Sequence, residues 1–246
     1  MLTALVLWAL SEIRHQYARF ASGLLYSYLD TSRLLETGRR VMSQYFQIHP
    51  VNPQQRLIGR AVEIVEKGGL IVYPTDSCYA FGCHIGNKQA MKQITRIRRT
   101  DANHNFTLVC RDLSDISTYG RLDNSGYRLL KSLTPGPYTF IMKATREVPR
   151  RLQNPKRSTI GIRVPDNAIC AALLEGLGQP MMSGTLILPP DELPETDPQD
   201  IREKLEHQVD LIIDGGNCGF EPTTVLQLDD SGSVNVMREG KGVLSF

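Results

Sequence analysis

From Met42 onward the chain alternates short runs of β-forming apolar residues with segments whose apolar residues recur at helical spacing. Strands are predicted at Leu70–Tyr73 and Phe106–Cys110, in YTFIMKA and STIGIRV, and in PMMSGTLIL. Three more follow in VDLIID, TTVLQL and VNVMR. Helices are predicted after Asn52-Pro53, where Leu57, Ile58, Ala61, Val62, Ile64 and Val65 keep the period, and after the cap residue Asn87. Others fall at Asp112–Tyr119, Ser125–Leu133, Asn167 to Gly178 and Gln199–Glu206. This alternation calls for an α/β or α+β sandwich. No helix separates the last three strands, so part of the sheet should be antiparallel.

Residues 1–41 break the pattern. MLTALVLWAL is a short apolar run followed by arginines at helical spacing. It lacks a basic start and a small-residue cleavage site, which argues against a signal peptide. It is too short and broken to span a bilayer. Met42, followed by SQYFQIHP, reads as a natural start. Residues 1–41 are then a helical extension or the product of an upstream start codon, with a membrane-surface helix as the alternative. The domain proper is 42–246, and no membrane partner is expected.

The five cysteines form no CxxC pair, which argues against a structural zinc site and for free thiols in a reducing, cytoplasmic setting. Charge is unevenly spread. Residues 88–163 carry 16 Lys+Arg against 5 Asp+Glu, and residues 164–246 carry 4 against 15. Either two solvated faces balance each other, or the basic region serves phosphates of a nucleotide or RNA. Neither GxGxxG nor GxxxxGK[ST] is present. The acidic loop Pro189–Asp200 reads as a connector, since its carboxylates lack ligand spacing. Of five scattered histidines, His104 alone lies near the basic helix, as a ligand contact or an exposed loop residue.

The stretch IVYPTDSCYAFG, residues 71–82, is the most informative. A core strand stops at Pro74, which cannot donate to a ladder. Thr75, Asp76, Ser77 and Tyr79 follow, at the kind of strand end where α/β proteins place ligand groups. The plain alternative is a strand-to-helix loop whose polar side chains bond their own backbone.

This stretch resembles the opening P-T-[ED]-T-x-Y-G-L motif of the YrdC/YciO family. Pro135–Phe140 resembles the family's P-G-P-x-T-[FL] block, and Gly161–Pro165 its G-x-R-x-P block. Pro222–Val225 resembles P-S-T-V, and Arg238–Gly240 the closing R-x-G. The likeness spans about residues 50–240. His104–Leu108 and Ser183–Leu186 resemble the YciO branch more than YrdC itself.

The resemblance implies a twisted mixed β-sheet flanked by helices, with a basic concave groove. It also implies threonylcarbamoyl-AMP formation from L-threonine, bicarbonate and ATP with Mg²⁺, for the t6A modification of tRNA. Thr75 would bond threonine with Tyr79 beside it. Arg163 and Arg238 would bind phosphate or carboxylate, and Thr223 would lie near the nucleotide. The catalytic members' K-x-R falls on Arg98 and Thr100, with Arg99 as a source of the missing charge. Their S-x-N falls on Thr185 and Ile187, with Ser183 on the same strand. The resemblance assigns no catalytic side chain and no metal ligand. Three readings stay open: an adenylate-forming enzyme, a non-enzymatic tRNA-, double-stranded RNA- or ribosome-binding protein, and a small-molecule binder with neither activity.

Overall fold

The computed structural model describes residues 42–100, 106–229 and 233–244. Both the 1–41 extension and His104 lie outside the described residues. The described chain forms ten strands and six α-helices. In chain order these are β1 (Gln44–Gln47), α1 (Gln55–Glu66), β2 (Ile71–Tyr73), β3 (Ala80–His84), α2 (Lys88–Arg98), β4 (Thr107–Val109), α3 (Leu113–Tyr119) and α4 (Asn124–Leu133). Then come β5 (Tyr138–Lys143), β6 (Thr159–Arg163), α5 (Ala168–Leu177), β7 (Met181–Thr185), α6 (Pro198–Leu205), β8 (Leu211–Asp214), β9 (Thr224–Leu228) and β10 (Val234–Arg238).

One twisted sheet holds all ten strands in the order β1-β8-β2-β3-β7-β4-β6-β5-β9-β10. β8 runs parallel to both β1 and β2, β4 to β6, and β5 to β9. The other neighbours are antiparallel. The expected antiparallel element among the last strands is the β9–β10 pair. β8 is not part of it, because it crosses to the other end of the sheet.

Local chemistry sets the helix ends. The Asn87 side chain accepts from the N–H groups of Gln89 and Ala90, satisfying donors that a helix start leaves open. α1 buries Ile58, Ala61, Val62 and Val65 on one face. It stops at Gly68, whose φ of 89° suits a residue without Cβ. Arg99 closes α2 in the left-handed region and is exposed.

Three strands depart from expectation. β1 falls in the SQYFQ segment, which carries no predicted element. The turn after Pro74 leads into β3, so residues 74–79 connect two antiparallel strands and not a strand to a helix. β7 ends at Thr185, short of the predicted Leu188, because Ile187 leaves the ladder to bridge Pro194.

Candidate functional site

Alternation along the central strands builds the site. A strand sends successive side chains to opposite faces. Phe140 and Met142 of β5, Ile162 of β6, Met182 of β7 and Leu226 and Leu228 of β9 point into the packed core. Their neighbours Thr139 and Ile141, Gly161 and Arg163, Ser183 and Thr185, and Val225 and Gln227 line a cavity of about 580 Å³. That volume lies within the ~300–1,000 Å³ typical of small-molecule sites. The strands β7, β4, β6, β5 and β9 are consecutive in the sheet, so the cavity floor is continuous. Gly161 keeps the floor low: a Cβ there would stand 3.3 Å from Thr107 Oγ1.

Four guanidinium groups reach the wall from different elements. Arg98 ends α2, and its Nη1 would lie 3.7 Å from a Cβ at Gly184. Arg157 sits in the β5–β6 connection and donates to Gln227 Oε1 at 3.5 Å. Arg163 ends β6. Arg238 ends β10 and donates to the Thr223 carbonyl through Nε at 3.2 Å and Nη2 at 2.9 Å. Partial burial draws the Arg98 and Arg238 guanidinium groups below the usual arginine range, although Arg238 as a whole residue is exposed. Thr223 and Thr139 share a hydroxyl–hydroxyl bond at 2.8 Å on the same wall.

Arg163 differs from Arg157 and Arg238 in its surroundings. It is 8% exposed, and its Nη2 is ion-paired with the Asp76 carboxylate. Its Nη1 donates to Ser77 Oγ at 3.3 Å. Its Nε is buried with no hydrogen-bond partner among the described residues. Asp76 is held at its second oxygen by the Asp166 N–H at 3.1 Å, and Lys241 Nζ donates to its carbonyl. Cys78 also lines the cavity, and burial pushes its thiol above the usual range.

Six of the sequence-derived site residues therefore share one wall: Arg98, Arg163, Ser183, Thr185, Thr223 and Arg238. Two stand behind it. The Thr75 hydroxyl donates to the Cys78 carbonyl at 2.6 Å and accepts from the N–H groups of Ser77 and Cys78. Its bonds close its own turn, as the plainer reading of that stretch had it. Tyr79 is fully buried, donating to the Gly216 carbonyl at 2.7 Å and accepting from the Gly215 N–H at 3.3 Å. It is a strut between the turn and the β8–β9 loop, where the resemblance implied a place beside Thr75 at bound threonine. Ile187 places an apolar side chain in the cavity at the position aligned with the family asparagine.

Sequence reasoning missed Asp76 as the partner of Arg163, along with Asn154, Arg157, Thr107, Thr139 and Thr159 on the wall. Strand alternation could have found the threonines, because each lies one residue from a core position.

The described residues thus form a mixed α/β sheet protein with an arginine-lined cavity on one face of its central strands. The chain belongs to the Sua5/YciO/YrdC family, whose profile, described as "Telomere recombination", matches residues 63–240. The uncharacterized protein YciO of Escherichia coli (strain K12) is 62% identical over 201 residues, covering 82% of this chain and 97% of that protein. The crystal structure of E. coli YciO superposes with a TM-score of 0.78 at 61% identity, over 82% of this chain and 98% of that one. A putative threonylcarbamoyl-AMP synthase of Methanocaldococcus jannaschii is 25% identical over 203 residues, 80% of this chain and 93% of that protein. P. abyssi Sua5, solved in complex with L-threonine, shares the fold at a TM-score of 0.73 and 20% identity, over 80% of this chain and 58% of that one. No described helix is long and apolar enough to cross a membrane.

Proposed function

We propose that the cavity binds ATP and an amino acid of the L-threonine kind and joins them through bicarbonate into a carbamoyl-adenylate. The observation that carries this reading is the convergence of Arg98, Arg157, Arg163 and Arg238 on one cavity, interleaved with Thr139, Thr223, Ser183 and Thr185. Planar, permanently charged guanidinium forks suit phosphate and carboxylate oxygens. The chemistry asks mainly for positioning and charge neutralisation. The amine of the amino acid attacks the bicarbonate carbon and water leaves. A carbamate oxygen then attacks the α-phosphate of ATP and pyrophosphate departs. Distant likeness to threonylcarbamoyl-AMP synthases supports the substrate set.

Magnesium would come with the nucleotide. The described residues hold no cluster of three His, Cys, Asp or Glu side chains fit for a metal ion, and the cavity wall offers Glu192 as its one described carboxylate. The cytoplasm, where thiols such as Cys78 and Cys218 stay reduced, suits this reading.

The test is pyrophosphate release from ATP and Mg²⁺, with and without L-threonine and bicarbonate. Release that needs both supports the reading. Absence of release from folded protein rejects it for this substrate set.

RNA binding is the second reading. Its support is the exposed basic connection carrying Arg150, Arg151, Lys156 and Arg157 beside the cavity. Binding of duplex RNA or tRNA there should weaken steeply with salt, by about one counterion per phosphate contact. A salt-insensitive interaction, or none, would count against it.

A further inference from the structure

Three arginines of the cavity, Arg157, Arg163 and Arg238, differ in what balances their charge. Arg157 and Arg238 are exposed and donate to neutral acceptors, the Gln227 amide oxygen and the Thr223 carbonyl and hydroxyl. Arg163 is buried against the Asp76 carboxylate, and both side chains are 9% exposed. An ion pair this far from water acts as a nearly neutral unit toward a third group. It still presents directed N–H donors, and one of them, Arg163 Nε, is buried without a partner among the described residues. A buried donor left unsatisfied is costly, and an acceptor brought by a ligand relieves that cost.

We propose that Asp76 sets the charge specificity of the cavity: by neutralising and fixing Arg163 it makes the buried part of the wall a seat for a singly charged or neutral acceptor, such as a carboxylate, and leaves polyphosphate to the exposed Arg157 and Arg238. Three observations hold Asp76 in this positioning role. One carboxylate oxygen takes Arg163 Nη2, the other takes the Asp166 N–H, and Lys241 ties down its backbone carbonyl. Ser77 fixes the opposite side of the guanidinium at Nη1. A polyanion seated at Arg163 would face the Asp76 charge at close range in a poorly solvated setting, where repulsion is screened little. A single carboxylate would meet the donors with less of that repulsion. The ligand thus gains a direction, with its carboxyl end toward β6 and its phosphates toward β9 and β10.

This inference deepens the reading of the cavity as an anion site but does not require turnover. Its test titrates the full chain with two probes that undergo no reaction. Sodium acetate stands for a single carboxylate and inorganic pyrophosphate for a polyanion, each followed by NMR shift changes or calorimetry. Wild type should bind both. Asp76→Asn, checked for folding by thermal melting, should gain about tenfold or more in pyrophosphate affinity, since the negative charge behind Arg163 has been removed. Asp76→Glu keeps the charge and should stay within about threefold of wild type for pyrophosphate.

If Asp76→Asn does not fold, the double variant Asp76→Asn/Arg163→Gln carries the test, because it removes both charges together. It should hold pyrophosphate affinity within about threefold and lose about tenfold in acetate affinity. An Asn variant that folds with both affinities unchanged, or loses both alike, overturns the proposal. So does a double variant that keeps acetate binding, or a wild type that binds neither probe. Failure of pyrophosphate release from ATP would strike the enzymatic reading alone and leave these titrations standing.

Discussion

The Tyr73 hydroxyl stands 2.8 Å from Ser183 Oγ, and Ser183 Oγ stands 2.9 Å from the Phe81 carbonyl oxygen. A carbonyl can only accept, so the serine proton goes to Phe81 and the tyrosine must donate to the serine. Burial pushes the Tyr73 phenol well above its usual range, which keeps that proton in place. The chain of bonds stitches β2, β3 and β7 together behind the cavity and fixes a hydroxyl on its wall.

Removing either end should therefore cost unequal amounts. Tyr73→Phe deletes one hydrogen bond and should destabilise by about 1 kcal/mol. Ser183→Ala leaves the buried tyrosine hydroxyl without an acceptor and should cost about 1–3 kcal/mol. The double variant should cost less than the sum of the two. Urea denaturation of the four proteins measures all three quantities, and strict additivity would refute the coupling.

Gly240 should not tolerate a side chain. A Cβ there would stand 2.2 Å from the Pro222 carbonyl oxygen and 2.8 Å from that of Thr223. Both are backbone atoms that cannot swing aside. Gly240→Ala must push the segment bearing Thr223 and the acceptor of Arg238. We expect a loss of about 1–3 kcal/mol, read by denaturation, together with weaker pyrophosphate binding. Unchanged stability would show that the segment yields freely.

Arg157→Ala and Arg238→Ala should each weaken ATP or pyrophosphate binding by roughly tenfold or more, the scale of a lost charge-assisted hydrogen bond. Exposure makes these contacts sensitive to screening. The penalty for Arg157→Ala should thus shrink between low and high salt. Calorimetry at two ionic strengths checks this, and a salt-independent penalty would speak against a direct phosphate contact.

Asp112 predicts an acid limb in stability. Its carboxylate accepts from the Ser114 hydroxyl at 2.5 Å and from the N–H groups of Ser114 and Asp115 at the start of α3. The bond to the Ser114 hydroxyl leads in lowering its pKa to about 2, against an ordinary 3.8. A depressed carboxylate stabilises the fold above its unfolded value, and the contribution fades as pH falls from about 4 toward 2. Asp112→Asn keeps a cap but should flatten that limb. Asp112→Ala should cost about 1 kcal/mol near neutrality. Stability measured between pH 2 and 5 separates the two, and an unaltered limb in Asp112→Asn would locate the acid sensitivity elsewhere.

The parts of the fold that were readable in the sequence are those with a strong local signal. The Asn87 cap, the Gly68 stop and the alternation of Tyr138–Lys143 each declare themselves within a few residues. β1 does not, because QYFQ buries one residue fully, Phe46, and runs into His49-Pro50. β3 does not either: AFGCH is buried almost throughout, so it shows no alternation, and Gly82 reads as a turn. Gly82 is instead small because Tyr73 Cε1 and Met181 Sδ would lie within 2.9 Å of any Cβ. The site was legible where the chemistry is intrinsic to a side chain, as with Arg163 and Arg238. It was not legible where a hydroxyl could serve either its own turn or a ligand. Thr75 bonds three residues along, whereas Thr223 finds Thr139 across 84 positions. Only the sheet order, which joins β5 to β9, distinguishes the two cases.

The place of β8 has a further consequence for how the molecule comes into being. β1 has β8 as its sheet neighbour, and β8 begins at Leu211, more than 160 residues downstream. β9 and β10, later still, complete the cavity wall with Thr223, Gln227 and Arg238. During synthesis β1 must wait for more than 160 further residues to be made before it can pair with β8. Nascent chains stopped before β9 would then carry the Pro74–Tyr79 turn without the cavity wall that Thr223, Gln227 and Arg238 complete.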